Sequence, residues 1–258
     1  MLTDEDYEQV MRLLGAVSEP SPTDVIARRT TLAKGLAELV GADIYLWIVG
    51  ISDMQNLKRA MPTTFIDGGW KSEAQCTAFY AMAVNSEVGH AIQTPVHVQA
   101  IQNGAVTGRI VDLVPSDVWE QVKEEYYGNG YVDAILSMRR IGKNGFSCIG
   151  LHRERGRSTF SPRERFLVHT IFHNIDWIHS PGCNYDVGSV GLTLTFRQRE
   201  VLLLLLRGKS RKSIAASLGL SEHTVVSYLR QIYRRFNACN QHELLSQFVS
   251  GKMIGRDS

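Results

Sequence analysis

At 258 residues, 44% hydrophobic and net +2, the chain has the length of one large or two ordinary domains and enough apolar content for a packed core. No run of eighteen apolar residues is present, so no membrane span is expected, and the opening MLTDEDYEQV has no apolar stretch that would serve as a signal peptide. Four cysteines, Cys76, Cys148, Cys183 and Cys239, form no C-x-x-C pair, which excludes a zinc ribbon or disulfide framework and leads us to expect a reduced, cytoplasmic protein.

In chain order, residues 4–18 have an amphipathic helical pattern with Thr3 as N-cap, and 23–40 a second helix ended by Gly41. Ala42–Val49 (ADIYLWIV) is β-branched and aromatic and reads as a buried strand. A helix follows at 72–84. Residues 95–101 and 106–113 are predicted as strands around an Asn103-Gly104 turn, and 116–127 as a helix. Ala134–Ile141 and Phe146–His152 flank Gly142-Lys143-Asn144-Gly145, a hairpin signal. Ser161 and Pro162 open a closing helix that runs to His179. Hairpins flanked by helices imply an α+β domain on an antiparallel sheet. The stretch LHRERGRSTFSPRERFLVHTIF resembles the last strand and helix of GAF- or PAS-like sensor modules.

Charge is unevenly distributed. From Leu192 to Ser258 there are eleven Lys and Arg against four Asp and Glu, a net +7, which leaves −5 for the remainder. A basic segment on an acidic body points to a nucleic-acid partner. Ser180–Gly191 (SPGCNYDVGSVG) has linker composition. The expected division is therefore a domain at 1–179, a linker at 180–191 and a second domain at 192–258.

Four short helices fit that second domain. Gly208 stops the apolar run VLLLLL, Ser210 caps a helix over 211–218, Gly219 suits a left-handed stop, and Ser221 caps a helix reaching Phe236. Helix, tight glycine turn, helix is a DNA-reading arrangement. At about 100° per residue, Val225, Leu229, Ile232 and Phe236 fall on one line, with His223, Ser227, Arg230 and Arg234 opposite and Val226 at the edge. Short side chains first and arginines later suit a helix whose N-terminus meets base edges while its cations meet phosphates. Lys209, Arg211 and Lys212 stand before it as further phosphate contacts, and Thr224 lies in its first turn.

The segment LTFRQREVLLLLLRGKSRKSIAASLGLSEHTVVSYLRQIYRRFNACNQHELL resembles the LuxR-type helix-turn-helix, the NarL/FixJ output domain. Leu194, Thr195, Arg197, Glu200, Val201, Leu202, Gly208, Ser210, Ile214, Ala215, Leu218, Ser221, Thr224 and Val225 fall in register with its pattern. Val226, Tyr228 and Gln241 depart from the family's usual Lys, His and Arg. The resemblance implies an all-α four-helix domain that binds double-stranded DNA as a homodimer in bacterial transcription regulation. It also implies a last helix, 240–250, that contributes Leu244, Leu245 and Phe248 to the dimer contact, although any one of the three can equally pack on the recognition helix.

For the first domain, the acidic run Asp4-Glu5-Asp6 has no strand before it, against a phosphorylated receiver, and no G-x-x-x-x-G-K-[ST] loop occurs. The leading expectation is sensing of a small ligand or partner, with Trp47, Trp70, Tyr80 and Trp119 as candidate pocket residues; aromatics in such a domain are more often core. An acyl-homoserine-lactone-type quorum-sensing receptor and a constitutive regulator with a dimerising first domain are the alternatives. No G-x-S-x-G and no metal signature is present, so neither an enzyme, a cofactor nor a metal is expected. His169 and His173, four apart, lack a fixed third ligand.

Overall fold

The computed structural model describes residues 3–21, 24–53, 56–142, 145–179, 194–206, 208–236 and 238–244. They fall into two compact units, one of residues 3–48 and 66–179, the other holding 194–244 and grouped with segment 49–65.

The first unit opens with α1 (Asp4–Ser18), where Thr3 accepts from the Asp6 amide and Asp6 accepts from the Thr3 amide, a reciprocal capping box. Asp6 is buried and paired with Arg163 of a later helix, which ties the start of the chain to the end of the domain. Helix α2 (Val25–Leu39) turns Leu32, Ala33 and Leu36 inward and stops before Gly41, whose φ of +60° would strain any other residue. Strand β1 (Ile44–Asp53) follows, then β2 (Asn56–Gly68). The sequence reading contains no counterpart to β2. Its charges and Pro62 conceal it, and a proline is tolerated there because β2 is an edge strand.

Helix α3 (Glu73–Asn85) leads into α4 (Glu87–Asn103). The strand expected over 95–101 is therefore corrected to helix. Val88, Ile92, Val96 and Ala100 are buried at every fourth position, the helical stripe, which the local alternation around Val96 and Val98 had masked. Pro95 removes one amide without ending the helix, and Gly104 at φ +80° ends it. The strand expected over 106–113 is shorter, β3 (Ala105–Arg109), and passes into a single turn, α5 (Ile110–Leu113). After α6 (Ser116–Gly128) come β4 (Tyr131–Ile141) and β5 (Gly145–Glu154), paired antiparallel from Ile141↔Gly145 to Tyr131↔Glu154 with a bulge between Tyr131 and Asp133. The closing helix is α7 (Pro162–Asn174), with Ser161 and Glu164 forming its capping box; it breaks at Ile175, and α8 (Asp176–His179) follows as a separate turn.

The sheet order is β2-β1-β5-β4-β3, with β3–β4 also antiparallel. Alternation divides its two faces. Ser137 and Ser147 look toward α7 and α8: Ser137 meets His173, while Ser147 accepts from the Trp47 indole at 2.8 Å and meets His179. Phe146 and His152 look the other way, toward His97 of α4 and Tyr126 of α6. Asp133 is buried on the first face, where it accepts from Arg109 Nε at 2.8 Å and from the backbone amides of Phe160 and Ala134.

The second unit contains α9 (Phe196–Leu206), α10 (Arg211–Leu218), α11 (Glu222–Arg235) and a helical turn at 241–244. Its core is Leu194, Val201, Leu202, Leu205, Ile214, Ala215, Val225, Leu229, Ile232, Phe236, Ala238 and Leu244.

Candidate nucleic-acid interface

Each helix of the second unit begins at a hydroxyl cap. The Thr195 hydroxyl accepts from the Gln198 amide, and the Gln198 side chain accepts from the Thr195 amide at 2.8 Å. Ser210 accepts from the Ser213 amide, and Ser221 from the Thr224 amide. The turn between α10 and α11 is made by Gly219 in the left-handed region (φ 63°, ψ 34°), whose N–H reaches the carbonyls of Ala215 and Ala216. Leu220 N–H also returns to Ala215 O, so the last carbonyls of α10 are satisfied within the turn.

On α11, Val225, Leu229, Ile232 and Phe236 are all buried, so the predicted stripe is the one that packs. His223, Ser227, Arg230 and Arg234 are exposed opposite it, and Val226 is half-buried at the margin. The Thr224 hydroxyl is 2.7 Å from that of Ser221 and so belongs partly to the cap. Tyr228, one of the departures from the family pattern, packs against the core. Arg211 and Lys212 are exposed at the start of α10, with Lys209 half-buried just before. Arg211 also stands by the Tyr233 phenol, which burial pushes up and the guanidinium pulls down.

A groove of about 670 Å³ runs along the basic face, lined by Gln198, Ser227, Arg230, Gln231, Arg234 and Arg235. It gathers three of the predicted contacts, Ser227, Arg230 and Arg234, and adds three that sequence reasoning missed. Gln231 and Arg235 lie beside Arg234 on the same helix and were within reach of the helical projection. Gln198 comes from α9, thirty-three residues away, and no local pattern places it there. Leu244, expected at a dimer contact, is corrected to the core of its own domain, where it is fully buried; Leu245 and Phe248 lie outside the described residues.

In the first unit the expected pocket aromatics divide. Trp47 is sealed on the α7 side, edge-on to Phe172 at 5.2 Å, and does not join the other three. Trp70 Nε1 and the Tyr80 hydroxyl both donate to Asp67 Oδ2, at 2.9 and 3.1 Å. Phe79 links them to Tyr131 and His152, and Tyr126 links these to Trp119. Burial holds His152 neutral, down to about 3, and pushes Tyr131 up to about 12. The half-buried Cys148 thiol is likewise pushed up to about 12 by burial, which disfavours the thiolate. His169 and His173 converge on the Thr107 hydroxyl at 3.1 and 2.9 Å; among the described residues no group of three His, Cys, Asp or Glu is placed to hold a metal ion.

Residues 192–248 match the family model described as bacterial regulatory proteins, luxR family. The transcriptional regulatory protein YvfU of Bacillus subtilis (strain 168), itself described as uncharacterized, is 35% identical over 69 residues, 27% of this chain and 34% of that protein. YhjB of Escherichia coli (strain K12), described as a putative HTH-type transcriptional regulator, is 41% identical over 49 residues, 19% of this chain and 24% of that protein. The matches thus span about a third and a quarter of these relatives' lengths. Among solved structures, SdiA in complex with octanoyl-rac-glycerol aligns over 100% of both chains at 16% identity and a TM-score of 0.44. The VqsR LBD domain of Pseudomonas aeruginosa aligns over 69% of this chain and 94% of its own at 14% identity and a TM-score of 0.41. Capped helices, a left-handed glycine turn, a basic outward face and the family match over 192–248 together make this segment a LuxR-family helix-turn-helix domain.

Proposed function

We propose that this chain is a bacterial, cytoplasmic transcription regulator that binds double-stranded DNA as a homodimer through residues 192–258. Residues 1–179 receive a small-molecule signal and 180–191 link the two parts. The observation that carries the DNA reading is α11, a helix buried along Val225, Leu229 and Ile232 that presents His223, Ser227, Arg230 and Arg234 outward behind a rigid glycine turn. His223, Ser227, Thr224 and Val226 in the first turns meet base edges, with Val226 limited to apolar contact such as a thymine methyl. Arg230, Arg234, Lys209, Arg211 and Lys212 meet phosphates.

The ligand reading is supported by the aromatic group around Asp67, where Trp70 and Tyr80 direct their donors at one carboxylate oxygen within a cluster of aromatic side chains. A few polar groups among aromatics suit a small molecule with one polar end. No helix of the described residues is long and apolar enough to cross a membrane.

The test is selection from a random duplex pool by the full chain and by its His223→Ala/Ser227→Ala variant, which removes two of the side chains assigned to base edges. A two-fold symmetric site with half-sites about one helical turn apart, enriched only by the unaltered chain, supports the reading. Equal enrichment by both proteins removes α11 as the reading element.

A further inference from the structure

The amide of Gln198 has one orientation fixed by its neighbours. Thr195 N–H is a donor, so the atom it meets at 2.8 Å is Oε1, and the other side-chain atom of Gln198 is Nε2. That Nε2 donates to Gln231 Oε1 at 2.6 Å. The carbonyl end of the Gln231 amide is thereby turned toward Gln198, and its NH₂ becomes the end directed away from it. Gln198 is buried and Gln231 exposed, so an orientation set inside the domain is transmitted to its surface. Gln231 lines the same groove as Arg230, Arg234 and Arg235, all of them donors without acceptor capacity. Ser227 and Gln231 are the groove's surface side chains that carry acceptor as well as donor capacity, and the Gln231 acceptor is turned toward Gln198.

We propose that Gln198 is a positioning residue that sets Gln231 as a donor to a backbone phosphate of bound DNA, making this groove a phosphate seat shared by the amide and the arginines. The inference rests on the DNA-binding reading above. A neutral donor differs from the arginines in what it contributes. It forms a hydrogen bond to the phosphate yet releases no counterion, so it adds affinity without adding to the salt dependence.

Glutamate at position 198 would reverse the relay. Its carboxylate would still accept from Thr195 N–H and would then accept from the Gln231 NH₂, turning the Gln231 carbonyl toward the phosphate. Two effects follow, the added charge and the turned amide, and only the second requires Gln231.

The experiment measures full-chain affinity for the selected duplex and for a scrambled duplex of equal length, over a salt series. The proteins are the unaltered chain, Gln231→Ala, Gln198→Glu, the double variant, and Arg230→Ala/Arg234→Ala. Gln231→Ala is expected to weaken both duplexes alike, by about tenfold, at an unchanged salt slope. Gln198→Glu is expected to cost markedly more in the presence of Gln231 than in the Gln231→Ala background, with the thermal midpoint of each variant recorded to exclude unfolding. An equal cost in both backgrounds assigns the effect to charge and overturns the proposal, as does a loss confined to the selected duplex, which would make Gln231 a base reader. If Gln231→Ala has no effect while Arg230→Ala/Arg234→Ala does, the relay falls and the DNA-binding reading stands. If neither has an effect, both fall.

Discussion

Arg230 and Arg234 are one helical turn apart, about 6 Å along α11, close to the spacing of successive phosphates on one strand. Both are exposed and line the same groove, so each is expected to neutralise one phosphate. Each such contact contributes about 0.9 to the slope of log affinity against log salt. Between 50 and 200 mM salt that is about 0.5 log units per arginine, or roughly 3.5-fold. Replacing both with alanine should therefore reduce the affinity lost over this range by about twelvefold relative to the unaltered chain. Fluorescence anisotropy on a labelled duplex, repeated at five or six salt concentrations with the full chain, measures this slope directly. A slope smaller by about 1.8, with selected and scrambled duplexes affected alike, is the expected result. An unchanged slope combined with a loss of about 1–3 kcal/mol on the selected duplex alone would show that the arginines read bases. Unchanged slope and unchanged affinity would falsify the assignment of this face.

Gly219→Ala should destabilise the second unit by about 1–2 kcal/mol through its left-handed backbone alone, since the added methyl has open space around it; a thermal midpoint equal to that of the parent would count against the turn. Asp133→Ala should cost about 3–5 kcal/mol, because it removes the partner of Arg109 and leaves the Phe160 amide without its acceptor. Denaturant titration of the full chain measures this, and a change below about 1 kcal/mol would show that the network contributes little. Acid should unfold the first unit early. His152 and His179 are held neutral down to about 3, against an ordinary value of 6.5, so below 6.5 the unfolded chain binds protons that the folded one does not. Stability then falls as pH drops from about 6.5 toward 3, by about 2 kcal/mol per histidine at pH 5, with a smaller, solvent-screened share from His173. A thermal midpoint that is flat between pH 7 and pH 5 would contradict this.

Local signals in the sequence determined most of the second unit. The caps at Ser210 and Ser221, the stop at Gly219 and the stripe of Val225, Leu229, Ile232 and Phe236 are all set by residues within one or two helical turns, and each is found where expected. The caps at Thr3 and Ser161 and the β4–β5 hairpin were legible for the same reason. Where the sequence misled, competing periods or long-range neighbours decided the outcome. Residues 95–101 alternate locally like a strand, yet the four-residue spacing of Val88, Ile92, Val96 and Ala100 against the sheet made them helix. Strand β2 holds its proline because it lies at an edge, a property of the assembled sheet. Trp47 was separated from Trp70, Tyr80 and Trp119 by the face of the sheet each one meets. Leu244 could have pointed outward or inward, and packing against the core placed it inside. Likewise, Gln198 and Gln231 carry no signal of their partnership in one dimension. Only the folding of α9 beside α11 brings the two amides within hydrogen-bonding distance and gives the surface glutamine its direction.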